Sequence, residues 1–137
     1  MREPNPLPLR FFHMNPRTIG WLPDQRDCET LLARFTPAWP DVIAHHVTLA
    51  SNTSDPLPDA TAGQIVGHVN DGEGLQALVV AIDGTTDRPD GSTWHITWSL
   101  DQARGREAKQ SNDVLRERGF DRLDTPISIR LRPSELS

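Results

Sequence analysis

The chain has 137 residues, 24% of them charged, and a formal net charge of −5, which suits one domain with a core that needs no staples and argues against a broad, sequence-independent grip on duplex nucleic acid. Its single cysteine, Cys28, excludes an internal disulfide and a multi-cysteine zinc site and fits a reducing compartment. Neither a signal-peptide core nor a membrane-length apolar run is legible, so a soluble, cytoplasmic protein is expected.

Residues 1–20 carry Pro4, Pro6, Pro8 and Pro16 and read as an extended lead, with a short strand at LRFFHM. The clearest helix is expected over about 25–35. Asp24 can cap it, and Asp27 sits in the first turn, where the helix dipole favours negative charge. Cys28, Leu31, Leu32 and Phe35 share one apolar face, and Pro37 and Pro40 end the element. Strands follow at about 42–50 (DVIAHHVTLA), at QIVGHVN, at the very apolar LQALVVAID, which should be central, and at TWHITWSL. DQARGREAKQ reads as a loop. SNDVLRERG reads as a short helix capped by Ser111 or Asn112 and stopped by Gly119. PISIRLRP closes as an alternating strand. Mostly strand with two helices, the chain is expected to be α+β with an antiparallel or mixed sheet.

Two tetrapeptides stand out, His46-Val47-Thr48-Leu49 and His95-Ile96-Thr97-Trp98. Residues two apart on a strand share a face. Each His/Thr pair therefore projects together, and each apolar pair, with Trp94, turns to the core. If the two strands are neighbours and the pairs face each other, two imidazoles and two hydroxyls converge. That set suits a phosphodiester: one neutral imidazole takes a proton, the other as imidazolium gives one, and the hydroxyls hold non-bridging oxygens. The bland alternative is a pair of surface histidines on half-exposed strands. His45 should point away from His46 and is read as structural, as are His13 and His68. Trp21 and Trp39 are candidates to stack a base. Charge is uneven: residues 1–100 hold 6 basic and 12 acidic side chains, residues 101–137 hold 8 and 7. Within DQARGREAKQ, Arg104, Arg106 and Lys109 are candidate phosphate contacts, against a reading as a solvated loop.

The paired motifs resemble those of the 2H phosphoesterases, the group that includes 2′,3′-cyclic nucleotide phosphodiesterases and 2′-5′ RNA ligase-like proteins. The stretch ALVVAIDG…GSTWHITWSLD…GREAKQSNDVL is similar to modules of that group associated with RNA repair. The likeness spans about Val42 to Leu115, and the 49-residue spacing of the motifs is compact for the family. The resemblance implies a single bilobal α+β domain over 1–137 with a central cleft. It implies His46 and His95 as acid and base, and Thr48 and Thr97 on the phosphate. It also implies RNA ends bearing a 2′,3′-cyclic phosphate, or small cyclic nucleotides, as substrates, and neither metal nor cofactor. Ser111 and Asn112 would lie near the ligand at a helix N-terminus, with Arg104 and Arg106 as further substrate contacts. Two other readings stay open. One is a non-catalytic module of the same fold that binds a nucleotide or RNA end. The other is a metal site of His46, His95 and His68, in which the repeated threonine has no role.

Overall fold

The computed structural model describes residues 16–136. In chain order it runs β1 (Arg17–Pro23), α1 (Gln25–Arg34), β2 (Asp41–Val42), β3 (Val47–Thr53), β4 (Ala62–Asn70), β5 (Leu75–Ala81) and β6 (His95–Leu100). A 3₁₀ turn (Gln102–Arg104), α2 (Gln110–Arg118) and β7 (Asp121–Glu135) complete it. The architecture is α+β: a seven-stranded sheet in the order β2-β6-β5-β4-β7-β1-β3, every pairing antiparallel, with two α-helices.

Helix α1 forms as the sequence predicts. The Asp24 carboxylate accepts the backbone N–H groups of Arg26 and Asp27 at 3.1 and 3.2 Å, satisfying donors that a helix start otherwise strands. Leu31 is buried, and Cys28, Leu32 and Phe35 pack on the same core. That core also takes Trp21, Leu78, Val80, Trp94, Ile96 and Trp98. A second core holds Leu75, Ala77, Val79 and Leu100 against Val114 and Leu115 of α2. Strand β5 thus sends alternate residues into two separate cores, which explains an apolar run interrupted only by the buried Gln76. It is third in the sheet order, flanked on both sides.

The long β7 carries the ladder between two halves of the sheet. Its residues 121–130 pair with β4, and 131–135 pair with β1. The PISIRLRP strand is therefore only the middle of a 15-residue element. Strand β1 was not expected as a separate element. It pairs with β3, with Gly20 opposite Thr48. A Cβ on Gly20 would collide with the Val47 carbonyl oxygen, so only glycine lets the two strands approach this closely. The expected LRFFHM strand and His13 lie outside the described residues. No helix among the described residues is long and apolar enough to cross a membrane.

Helix α2 begins one residue before the expected cap. Ser111 and Asn112 lie inside its first turn, and neither caps it. Ser111 is fully buried, because its hydroxyl is spent on a side chain beneath the helix and not on the helix backbone.

Candidate functional site

The predicted strand over 42–50 is two strands joined by a corner. Asp41 and Val42 pair with β6, and the next two amides continue that ladder, Ile43 N–H to the Trp98 carbonyl at 2.9 Å and Ala44 N–H to the Thr97 carbonyl at 3.0 Å. Ala44 then adopts φ 40°, a left-handed conformation that costs a residue with a side chain about 1–2 kcal/mol. Two contacts hold it: the Thr97 carbonyl on its N–H, and the Cys28 thiol, which donates to its carbonyl at 3.4 Å. Burial, with a smaller contribution from Glu29, pushes the Cys28 thiol up and keeps it a donor. The corner carries the chain from the edge beside β6 to the edge beside β1, where β3 begins. His45 and His46 occupy it.

A pocket of about 280 Å³ opens at the corner, where β3 packs against β6. His46 and Thr48 line it from one half of the sheet, His95 and Thr97 from the other. Sequence spacing foresaw the pairing within each motif. What brings the motifs together is the curl of the sheet, since β3 and β6 are not ladder neighbours. As expected, Trp94 and Trp98 turn into the core on the opposite face, Trp98 donating its indole N–H to the Phe35 carbonyl at 2.7 Å.

The two imidazoles differ in surroundings. His95 donates its Nδ1–H to the Thr93 carbonyl at 2.8 Å, because a carbonyl only accepts. Its neutral form therefore carries the lone pair on Nε2. Burial is the largest influence on its pKa and lowers it below 6.5; the Thr93 bond works against that, and the nearby charges of Arg88 and His46 reinforce it. His46 is lowered too, by burial first and His45 second. Its Nδ1 sits 3.1 Å from Nδ1 of His45. Both shifts favour the neutral imidazole near pH 7, and an arriving anion favours protonation.

The Thr97 hydroxyl lies 2.8 Å from the buried Ser111 hydroxyl and 3.4 Å from the Ala108 carbonyl. Of the four other predicted contacts, Asn112 lines the pocket, and its buried Oδ1 has no partner among the described residues. Ser111 sits behind Thr97 and positions it. Arg104 and Arg106 do not reach the pocket. Arg104 pairs with Asp101 and lies over Trp39, while Arg106 binds the buried Asp71 carboxylate at 2.8 Å and the Glu73 carbonyl, tying down the 71–74 turn. Trp21 is buried, with its indole N–H on the Ala60 carbonyl, and is no base platform. His68 accepts a hydrogen bond from the Gln76 amide and stacks on Phe35, away from the pocket, so no three-histidine metal set assembles. Among the described residues no group of three or more His, Cys, Asp and Glu side chains is placed to hold a metal ion.

Arg88 and Lys109 supply the pocket's cations. Arg88 is nearly buried. It donates to both carboxylate oxygens of Asp90, at 3.1 and 2.7 Å, and to the Thr48 carbonyl at 3.2 Å. One N–H on each terminal nitrogen is left without a partner among the described residues. Asp90, in turn, is held well below the usual carboxylate range by its bonds from Arg88 and Ser92. A signal for Arg88 was present in the sequence: it is the lone arginine or lysine between Arg34 and Arg104. No family model, curated protein or solved structure matches the chain.

Proposed function

We propose that the pocket is the active site of a phosphodiesterase of the two-histidine type, with the cleft fold of the 2H phosphoesterases, opening 2′,3′-cyclic phosphates on RNA ends or nucleotides. The observation that carries this reading is the lining of one small polar pocket by His46, Thr48, His95 and Thr97 together. In the mechanism, Nε2 of His95 takes a proton from water as the water oxygen bonds to phosphorus. The bond from phosphorus to one ribose oxygen breaks, and His46 gives that oxygen its proton. Thr48, Thr97 and the free N–H groups of Arg88 hold the non-bridging oxygens and stabilise the growing charge. Both proton transfers are assigned to imidazoles, so the chemistry needs no metal.

The test is phosphorus NMR of the protein with the four 2′,3′-cyclic nucleotides and a cyclic-phosphate-ended oligonucleotide, chelator present, beside His46→Ala and His95→Ala. Conversion by the wild type and loss in both folded variants is the expected result, and the product's shift gives the regiochemistry. Undiminished turnover in both variants refutes the assignment. Binding without conversion makes the chain a nucleotide or RNA-end binding module.

A further inference from the structure

We propose that His45 is a positioning residue for His46: its Nδ1 accepts the Nδ1–H of His46 and holds the Nε2 edge of that ring toward the phosphate. The inference rests on the reading of the pocket as a two-histidine phosphodiesterase.

The Nδ1 atoms of the two rings are 3.1 Å apart, with the rings nearly perpendicular at 79°. Two ring nitrogens at that distance form a hydrogen bond only when one carries a proton and the other is bare. His95 has a fixed partner in the Thr93 carbonyl, which orients the ring and favours its protonated form. No backbone carbonyl among the described residues serves His46 in this way; His45 stands in that place. An imidazolium that delivers a proton from Nε2 also bears Nδ1–H, and that second proton needs an acceptor in a half-buried site. After delivery the neutral ring keeps Nδ1–H on His45, so the ring does not turn.

The corner at Ala44 makes the arrangement possible. It sends His46 into the 280 Å³ pocket and exposed His45 into a separate groove of about 620 Å³ on the other side. His46 faces His95, Arg88 and Lys109. His45 faces Asp24 and Cys28 from the start of α1, and Arg130 and Arg132 from β7.

Two full-length variants and one spectroscopic readout decide this. His45→Phe keeps a ring and removes the acceptor. His45→Asn keeps an acceptor close to where Nδ1 stands. Turnover of 2′,3′-cyclic AMP is measured from pH 5 to 9, and nitrogen-15 NMR of labelled histidines reads the tautomer of His46. Expected for His45→Phe is a fall in kcat of about tenfold with KM within about twofold, the size of one lost hydrogen bond to a charged group. His45→Asn should stay within about threefold of the wild type at pH 7.5. The His46 ring should be protonated at Nδ1 above its pKa in the wild type and in His45→Asn, and move to the Nε2–H tautomer in His45→Phe. A wild-type kcat in His45→Phe, an equal loss in both variants, or a wild-type His46 already in the Nε2–H tautomer overturns the proposal. If the wild type converts no cyclic phosphate, the phosphodiesterase reading falls, and the tautomer alone then decides whether His45 orients His46.

Discussion

Replacing Ser111 by alanine tests how the Thr97 hydroxyl is held. Thr97 is 7% exposed, at the pocket wall, and Ser111 is fully buried, so the Ser111 hydroxyl has no water to fall back on and the Thr97 hydroxyl has little. Their 2.8 Å contact is the short one; the bond from Thr97 to the Ala108 carbonyl, at 3.4 Å, is at the limit of a useful hydrogen bond. For Thr97 to donate to a phosphate, it must accept from Ser111. Ser111→Ala removes that donor and strands a buried oxygen, costing about 1–2 kcal/mol, less a few tenths returned because alanine is the better helix former. Thr97→Val strands the Ser111 hydroxyl by a similar amount. The double variant removes both partners and should cost less than the sum, leaving a coupling of about 1–2 kcal/mol in a double-mutant cycle followed by urea unfolding. Turnover by Ser111→Ala should fall about tenfold, since the Thr97 donor loses its direction. A coupling below about 0.3 kcal/mol, within the additivity of independent sites, would refute the arrangement.

The corner residue gives a prediction of opposite sign: Ala44→Gly relieves the left-handed strain and should leave stability unchanged or raise it by up to about 1 kcal/mol, whereas Ala44→Val should lower it by more than that, both read by thermal unfolding. Arg88→Gln should lower kcat/KM about 10- to 100-fold, the value of charge-assisted hydrogen bonds to a phosphate. Its stability cost should stay below about 1 kcal/mol, because the Asp90 it abandons is largely exposed; equal kcat/KM in the variant would remove Arg88 from the site. Stability should fall with acid in two stages. His46, His68 and His95 have pKa values lowered from 6.5, so the unfolded chain binds more protons and stability drops as pH falls through 6.5. Asp27, held low chiefly by the Arg130 backbone N–H, and Asp90 are lowered from 3.8; their contribution is present above that pH and is lost as pH falls through their lower folded values. In His95→Asn the slope between pH 7 and 5 should shrink, and an unchanged slope would show that the buried ring is not its source.

Local rules carried the elements whose signals are local. Asp24 and the i, i+3, i+4, i+7 face announced α1, and alternation placed Thr48 with His46 and Thr97 with His95. The start of α2 misled because Ser111 carries the side chain of a good cap, yet a buried partner 14 residues earlier on β6, Thr97, claims its hydroxyl first. Arg104 and Arg106 sat beside the right helix in sequence, but a buried Asp71 and the face of Trp39 compete for them, and neither competitor is readable from the stretch itself. The corner at Ala44–His46 was hidden for a related reason. Nothing in AHHV marks a turn, and the left-handed alanine exists only because Thr97 and Cys28, distant in sequence, grip it. Contacts with long sequence separation thus account for most of what pattern alone left unread.

The segment 41–53 and strand β7 each run from one half of the sheet into the other. The halves are sewn together twice, and the pocket lies at one of the seams. Swinging them apart would tear backbone ladders, so the walls that hold the four motif side chains behave as a fixed mould. Access is then left to the rim, to the 83–93 loop bearing Arg88 and the turn bearing Lys109. On the proposed phosphodiesterase reading, a nucleic acid strand would thread its terminal phosphate in from that side while the rest of its length stays outside, and the site would grade substrates by their ends and not by their middles.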